Sequence, residues 1–128
     1  DSLLLKGSIA YQDAQDTNTD APVAEAPAWD GYANAHWTCL PDWSLDGQYF
    51  WTAERHRAED DHREEIADYQ YVNLTLRREH ILKNWEVAVA VRNLFDADIR
   101  EPSPTPGLIP DDYPMEERSF WLELRWHL

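Results

Sequence analysis

The chain has 128 residues and a net charge of −14, and 43% of its residues are hydrophobic. That length bounds it to one small domain, and that apolar share excludes a disordered acidic tail. The acidity argues against nucleic acid as a partner, because phosphate binding needs clustered Lys and Arg.

Six segments carry the period of two that defines a half-buried strand. In residues 2 to 12, Leu3, Leu5, Gly7, Ile9 and Tyr11 share one face. In residues 31 to 40, Ala33, Ala35, Trp37 and Cys39 oppose Asn34, His36 and Thr38. In residues 44 to 53, Leu45, Gly47, Tyr49 and Trp51 oppose Asp46, Gln48 and Thr52. In residues 69 to 79, Val72, Leu74 and Leu76 oppose Tyr71, Asn73, Thr75 and Arg77. In residues 85 to 95, Val87, Val89 and Val91 oppose Glu86, Ala88, Ala90 and Arg92. In residues 118 to 128, Phe120, Leu122, Leu124, Trp126 and Leu128 oppose Ser119, Trp121, Glu123, Arg125 and His127.

The connections alternate in length. Leu40-Pro41-Asp42-Trp43 and His80-Ile81-Leu82-Lys83-Asn84 are tight turns, whereas residues 13 to 30, 54 to 68 and 96 to 117 are long. Structureless loops of that length are uncommon in a compact soluble domain. Outer-membrane barrels have short turns on the periplasmic side and long loops outside. Eleven strand residues at roughly 3.3 Å each, tilted about 40°, rise about 27 Å, the height of a barrel's apolar band.

Of seven Trp, six Tyr and three Phe, eleven sort toward two heights. Trp37, Trp43, Trp85 and Trp126 fall near the tight turns; Tyr11, Trp29, Tyr32, Trp51, Tyr69, Phe95 and Phe120 fall near the long loops. Two aromatic girdles suit a lipid-facing wall. The competing pattern is a soluble β-sandwich or lipocalin-like barrel with these rings as its core. No run of about 18 apolar residues exists, which excludes a spanning helix but not a spanning strand.

The long loops hold 19 of the 25 acidic residues and only Arg55, Arg57, Arg63 and Arg100 as basic ones, a net of −15. Such a mouth repels anions and gathers cations. The run from Glu59 to Glu65 lacks the spacing and turn glycine of an EF-hand, so a solvated charge run is expected there, with His56 and His62 facing solvent rather than a metal. Cys39 is the single cysteine, so no internal disulfide can form. No G-x-S-x-G, Walker loop, H-E-x-x-H or zinc-spaced cysteine pair occurs. The expectation is a chain that is not an enzyme and holds neither cofactor nor metal.

Residues 91 to 128 carry a resemblance. Val91-Arg92-Asn93-Leu94-Phe95-Asp96-Ala97-Asp98-Ile99-Arg100-Glu101-Pro102-Ser103 resembles the penultimate strand and last loop of TonB-dependent receptors, where a "VNNLFDKDYREP"-like run leads into the final extracellular loop. Ile109-Pro110-Asp111-Asp112-Tyr113-Pro114, followed by Arg118-Ser119-Phe120, resembles that family's entry to its closing strand. Asp68-Tyr69 with Val72-Asn73-Leu74-Thr75-Leu76 resembles an earlier strand, and Ala26-Pro27 also fits. Glu117 stands where the family has Gly, and Leu128 where it ends on Phe.

The resemblance implies an all-β, antiparallel up-and-down meander of about six strands, a segment of a 22-stranded transmembrane β-barrel closed by an N-terminal plug. Residues 1 to 128 would be a C-terminal fragment of that barrel, lacking the plug, as Asp1 at the start also leads one to expect. The implied function is active uptake of a scarce nutrient such as a ferric siderophore or cobalamin across the outer membrane of a Gram-negative bacterium. The implied partners are outer-membrane lipid, the plug and remaining strands, the TonB complex acting through the plug, and the nutrient. A passive porin or structural barrel, and a soluble β-barrel binding module, are the alternatives. Asn73, Thr75, Arg77, Glu86, Arg92, Glu123 and Arg125 are expected to face the lumen. There, pairs of Arg77 or Arg92 with Glu86 or Glu123 steady the wall. Ligand capture is expected at the outer loops, through Trp29, Tyr32, Arg55, Arg57, Arg100 and Tyr113.

Overall fold

The computed structural model describes residues 2–17, 23–103 and 109–127. Among them the chain is all-β, with strands β1 (Ser2–Tyr11), β2 (Pro27–Leu40), β3 (Trp43–Arg55), β4 (Tyr69–Ile81), β5 (Trp85–Arg92), β6 (Arg100–Glu101), β7 (Tyr113–Pro114) and β8 (Ser119–Trp126). Six of them form one antiparallel sheet in the order β1-β2-β3-β4-β5-β8, an up-and-down meander; β6 and β7 pair separately. No helix among the described residues is long and apolar enough to cross a membrane.

The expected segments are all present, with shifted ends. β2 starts at Pro27 rather than residue 31, because its ladders continue through Tyr11↔Trp29 and Pro27↔Arg55. Trp29 and Asp30 are therefore strand residues and not loop residues. β5 ends at Arg92 rather than residue 95. Asn93 takes φ 47, a left-handed conformation that Asn tolerates and a strand cannot include. The tight turns need the same geometry, at Asp42 (φ 63) between β2 and β3, and at Leu82 (φ 48) and Lys83 (φ 73) between β4 and β5. The third long connection contains the β6–β7 hairpin, which its Pro-rich, acidic sequence conceals. Leu128 lies outside the described residues.

Register decides what each face carries, since residues directly opposite in an antiparallel ladder share a face. One row runs Leu3, Trp37, Leu45, Leu76, Val89, Leu122 across all six strands. Its neighbour on the opposite face runs Ser2, Thr38, Ser44, Arg77, Ala88, Glu123. The alternation seen in each strand thus assembles into one apolar and one mostly polar surface.

Nothing in the described chain covers the apolar surface. Leu76 and Val89 have strands on both sides, yet are 41% and 47% exposed. Among the described residues, the buried apolar ones are Ala53, Ile66, Ala88 and Ile99. The accessible surface is 9379 Å², whereas a folded soluble chain of 15.0 kDa exposes about 7,000 Å². A single layer cannot bury its own apolar face, so this sheet needs an apolar medium or a second layer against it.

Candidate functional site

The meander places both tight turns at one end of the sheet and all three long connections at the other. At the loop end, β3 delivers Arg55 into a buried position. Its guanidinium donates to the carbonyls of Ala67 (2.7 Å) and Arg100 (3.3 Å) and to Glu101 Oε2 (3.2 Å), and it lies 4.8 Å from the centre of the Tyr69 ring. Tyr69 in turn donates its hydroxyl to Glu101 Oε1 at 2.9 Å. Arg55 thereby joins the connection after β3 to the β6–β7 hairpin. Its Nε, buried without an acceptor, is the exception in an otherwise satisfied group.

Beyond it lies an ionic hub. Arg57 donates from Nη1 to Asp112 Oδ1 (3.2 Å) and from Nη2 to Oδ2, and from Nε to the Glu64 carbonyl. Arg63 donates to Asp61, to Asp112 Oδ1 (3.2 Å), to Ser103 Oγ (2.7 Å) and to the Ser103 carbonyl (2.7 Å). The Ser103 amide donates to Asp112 Oδ1 at 3.0 Å. Two guanidiniums thus neutralise two carboxylates. Arg63 holds the Asp61 carboxyl at about 2, and Arg57 holds Asp112 at about 2. Both lie well below the usual carboxylate range. The same contacts raise the Arg63 pKa, with the Asp61 hydrogen bond the largest cause. Beside the hub is a cleft of about 380 Å³, lined by Arg57, Arg63, Arg100, Asp98 and Asp111 among others.

The six residues expected to capture ligand separate into three groups. Arg55, Arg57, Arg100 and Tyr113 gather around the connections after β3 and β5. There Arg100 binds Asp98 (3.1 Å) and the Asp111 carbonyl (2.8 Å), and exposed Tyr113 pairs with Glu101 through backbone. All three arginines are already engaged within the chain. Trp29 lies on the apolar face, its ring 4.7 Å from Tyr11 and 6.4 Å from Trp51. Tyr32, three residues on, lies on the polar face, 5.1 Å from Phe50. Period-two alternation forbids residues three apart from sharing a site.

The structure also shows groups that the sequence pattern did not single out. Tyr32, Phe50 and Tyr71 form a ring series across β2, β3 and β4, with Phe50 and Tyr71 stacked at 4.7 Å. Their alternation with polar residues at i±2 was visible; their cross-strand alignment depends on register and was not. Asp61, Arg63, Ser103 and Asp112 are joined across up to 49 residues of chain, and local spacing carries no signal for that. In the expected charge run, Glu59, Asp60, His62, Glu64 and Glu65 are exposed, while Asp61 is turned inward to its arginines. No group of three His, Cys, Asp or Glu side chains among the described residues is arranged to hold a metal ion.

On the polar face, Arg77 pairs with Glu86 and reaches Glu123 at 3.8 Å; Arg125 binds Glu123 at 2.6 Å and Glu86 at 3.5 Å. Arg92 departs from the expected pairing. It reaches Glu116 at 3.6 Å and packs 4.7 Å over the Trp121 ring, because it stands level with Ser119 at the start of β8, far along the strand from Glu123. Asn73, Thr75, Arg77, Arg92 and Glu123 line a shallow cleft of about 420 Å³ with Gln48 and Trp121. No protein-family profile, curated protein or solved structure matches the chain.

Proposed function

We propose that this chain is wall and loops of an outer-membrane β-barrel of the TonB-dependent receptor kind, working in nutrient uptake. The apolar face would meet lipid, the face of Arg77, Glu86 and Glu123 would meet a watery lumen, and the long connections would stand outside. The observation that carries the reading is the uncovered apolar face. Six adjacent strands present Leu, Val and aromatic side chains on one surface and paired charges on the other, in a single layer. The turn parity and the resemblance of residues 91 to 128 support it further. In this reading the arginines of the loops hold the outer loops together, and the Tyr32–Phe50–Tyr71 series offers the lumen side an aromatic surface below them.

The test uses the full-length protein that contains this chain, reconstituted in lipid vesicles with an environment-sensitive fluorophore at Leu122→Cys or at Glu123→Cys. Each variant carries Cys39→Ala, and any cysteine outside these 128 residues is likewise replaced, so that the label is unique. Adjacent strand positions should report opposite surroundings, apolar at 122 and aqueous at 123. Two aqueous signals would remove the membrane wall. An apolar signal at 122 that persists in detergent-free, lipid-free buffer would favour a soluble barrel or sandwich instead.

A further inference from the structure

Arg78 stands apart from every other arginine of this acidic chain. Eight of the nine arginines lie within 4.0 Å of a carboxylate; the Arg78 side chain makes no ion pair and no hydrogen bond among the described residues. Its one contact of note is aromatic, the guanidinium lying 5.1 Å from the centre of the Trp43 ring. With 25 acidic residues in the chain, an exposed arginine without a carboxylate needs a reason.

The reason is its position. Register puts Arg78 in the row Trp43, Arg78, Val87, Leu124, on the apolar face. The next positions on that face toward the tight turns are Trp85 and Trp126, which pair with each other. Arg78 is therefore the cation of a tryptophan belt at the edge of the apolar band, flanked by Trp43, Trp85 and Trp126. β4 has β3 on one side and β5 on the other, so the free edges of the sheet, β1 and β8, are not beside Arg78 and a strand added there would not supply its counter-charge. Asp42, the acid of the β2–β3 turn, is hydrogen-bonded to His80 Nδ1 at 2.9 Å.

Tryptophan belts mark the water–lipid boundary, and arginine beside such a belt extends its charged end to the headgroups while its stem stays among apolar chains. A guanidinium presents planar paired donors that match phosphate oxygens, and a ring beneath it holds that plane in place. We infer that Arg78, seated on Trp43, binds the phosphate of an anionic phospholipid in the leaflet that borders the tight turns. Lys83, exposed in the β4–β5 turn and likewise without an ion pair, adds to the positive potential on that side. The site rests on the reading of this sheet as a lipid-facing wall.

The experiment reconstitutes the full-length protein in vesicles of phosphatidylcholine with a minor fraction of phosphatidylglycerol and counts retained lipids by native mass spectrometry. Wild type should retain phosphatidylglycerol in preference to phosphatidylcholine. Folded Arg78→Gln should retain about fivefold less of it, the ratio expected for one cation at an anionic surface. Arg78→Lys and Trp43→Leu should fall between the two, since each keeps the charge but loses the flat, stacked presentation. Wild-type retention in Arg78→Gln, or in both intermediate variants if Arg78→Gln does not fold, overturns the site. Binding of inorganic phosphate by the solubilised protein, abolished in Arg78→Gln, would assign the arginine to a free anion and also overturn it. An apolar signal at position 122 together with unchanged lipid retention would defeat this site alone and leave the wall intact.

Discussion

Asp112 is the most heavily contacted carboxylate of the loops, and its surroundings set a pH range. It accepts from Arg57, from Arg63 and from the Ser103 amide, and its neighbour Asp61 accepts from Arg63. Both carboxyls titrate at about 2 in the folded chain, against an ordinary 3.8. A depressed carboxyl stabilises the folded state above its ordinary pKa and loses that contribution as pH falls through its folded value. The hub is therefore at full strength above about pH 4 and dissolves between about pH 4 and pH 2. Amide hydrogen exchange across that window provides the measurement. Exchange within residues 56–68, normalised to an unfolded reference peptide at the same pH, should rise steeply as pH drops from 4 to 2. Replacing Asp112 by Asn should give the high rate already at pH 4. A flat normalised rate in the unmodified protein would show that the ion pairs do not hold the loop.

At the scale of elements, Asn93 decides where β5 stops and how the last long connection starts. Its amide donates to Asn73 Oδ1 (3.0 Å), its Nδ2 donates to the Ala97 carbonyl (2.9 Å), and its Oδ1 accepts from the Ala97 amide (2.9 Å). The residue is 3% exposed and sits at φ 47. Asn93→Ala removes three side-chain hydrogen bonds, two with Ala97 and one to the Glu116 carbonyl, and leaves a left-handed backbone to a residue that resists it, at a cost of about 2–4 kcal/mol. Asn93→Gly relieves only the backbone part and should recover about 1 kcal/mol of that loss, measured as the urea midpoint of the reconstituted protein. Equal midpoints for the two variants would mean that φ contributes nothing.

Asn93 also illustrates what sequence could and could not reveal at this scale. The alternation of Val87, Val89 and Val91 located β5, and the tight turns located its partners, because both are signals within a few residues. The end of β5 depended on a bond to Asn73, twenty residues away. The partner of Arg92 was missed for the same kind of reason. Which carboxylate stands near it follows from the β5–β8 register and from the hairpin between those strands, and neither is written in the local pattern. Trp29 and Tyr32 both lie toward the loop end of β2, but alternation puts them on opposite faces.

For the whole molecule, the decisive quantity is what covers the apolar face, and charge placed along one strand can read it out. Leu74 lies near the middle of β4, between Arg78 and Gln70 on the same face, Gln70 lies near its loop end, and Thr75 lies beside Leu74 on the opposite face. Against lipid, an arginine costs about 2–4 kcal/mol at the midplane and about 0–1 kcal/mol near an interface. Leu74→Arg should therefore lower folding stability in vesicles by about 2–4 kcal/mol, and Gln70→Arg by no more than about 1 kcal/mol. Thr75→Arg faces Asp46 across the ladder, on a surface where Arg77 and Glu86 already pair, and should be close to neutral. A protein layer packed on the same face would give a different profile. It would penalise an arginine wherever side chains interdigitate, regardless of distance from the tight turns, and the penalty would persist without lipid. Stability of the three variants in vesicles of two acyl-chain lengths separates the cases. With lipid as the cover, the Gln70→Arg penalty grows as the bilayer thickens and its apolar zone reaches that row. A penalty independent of bilayer thickness would mean that protein, not lipid, covers this face.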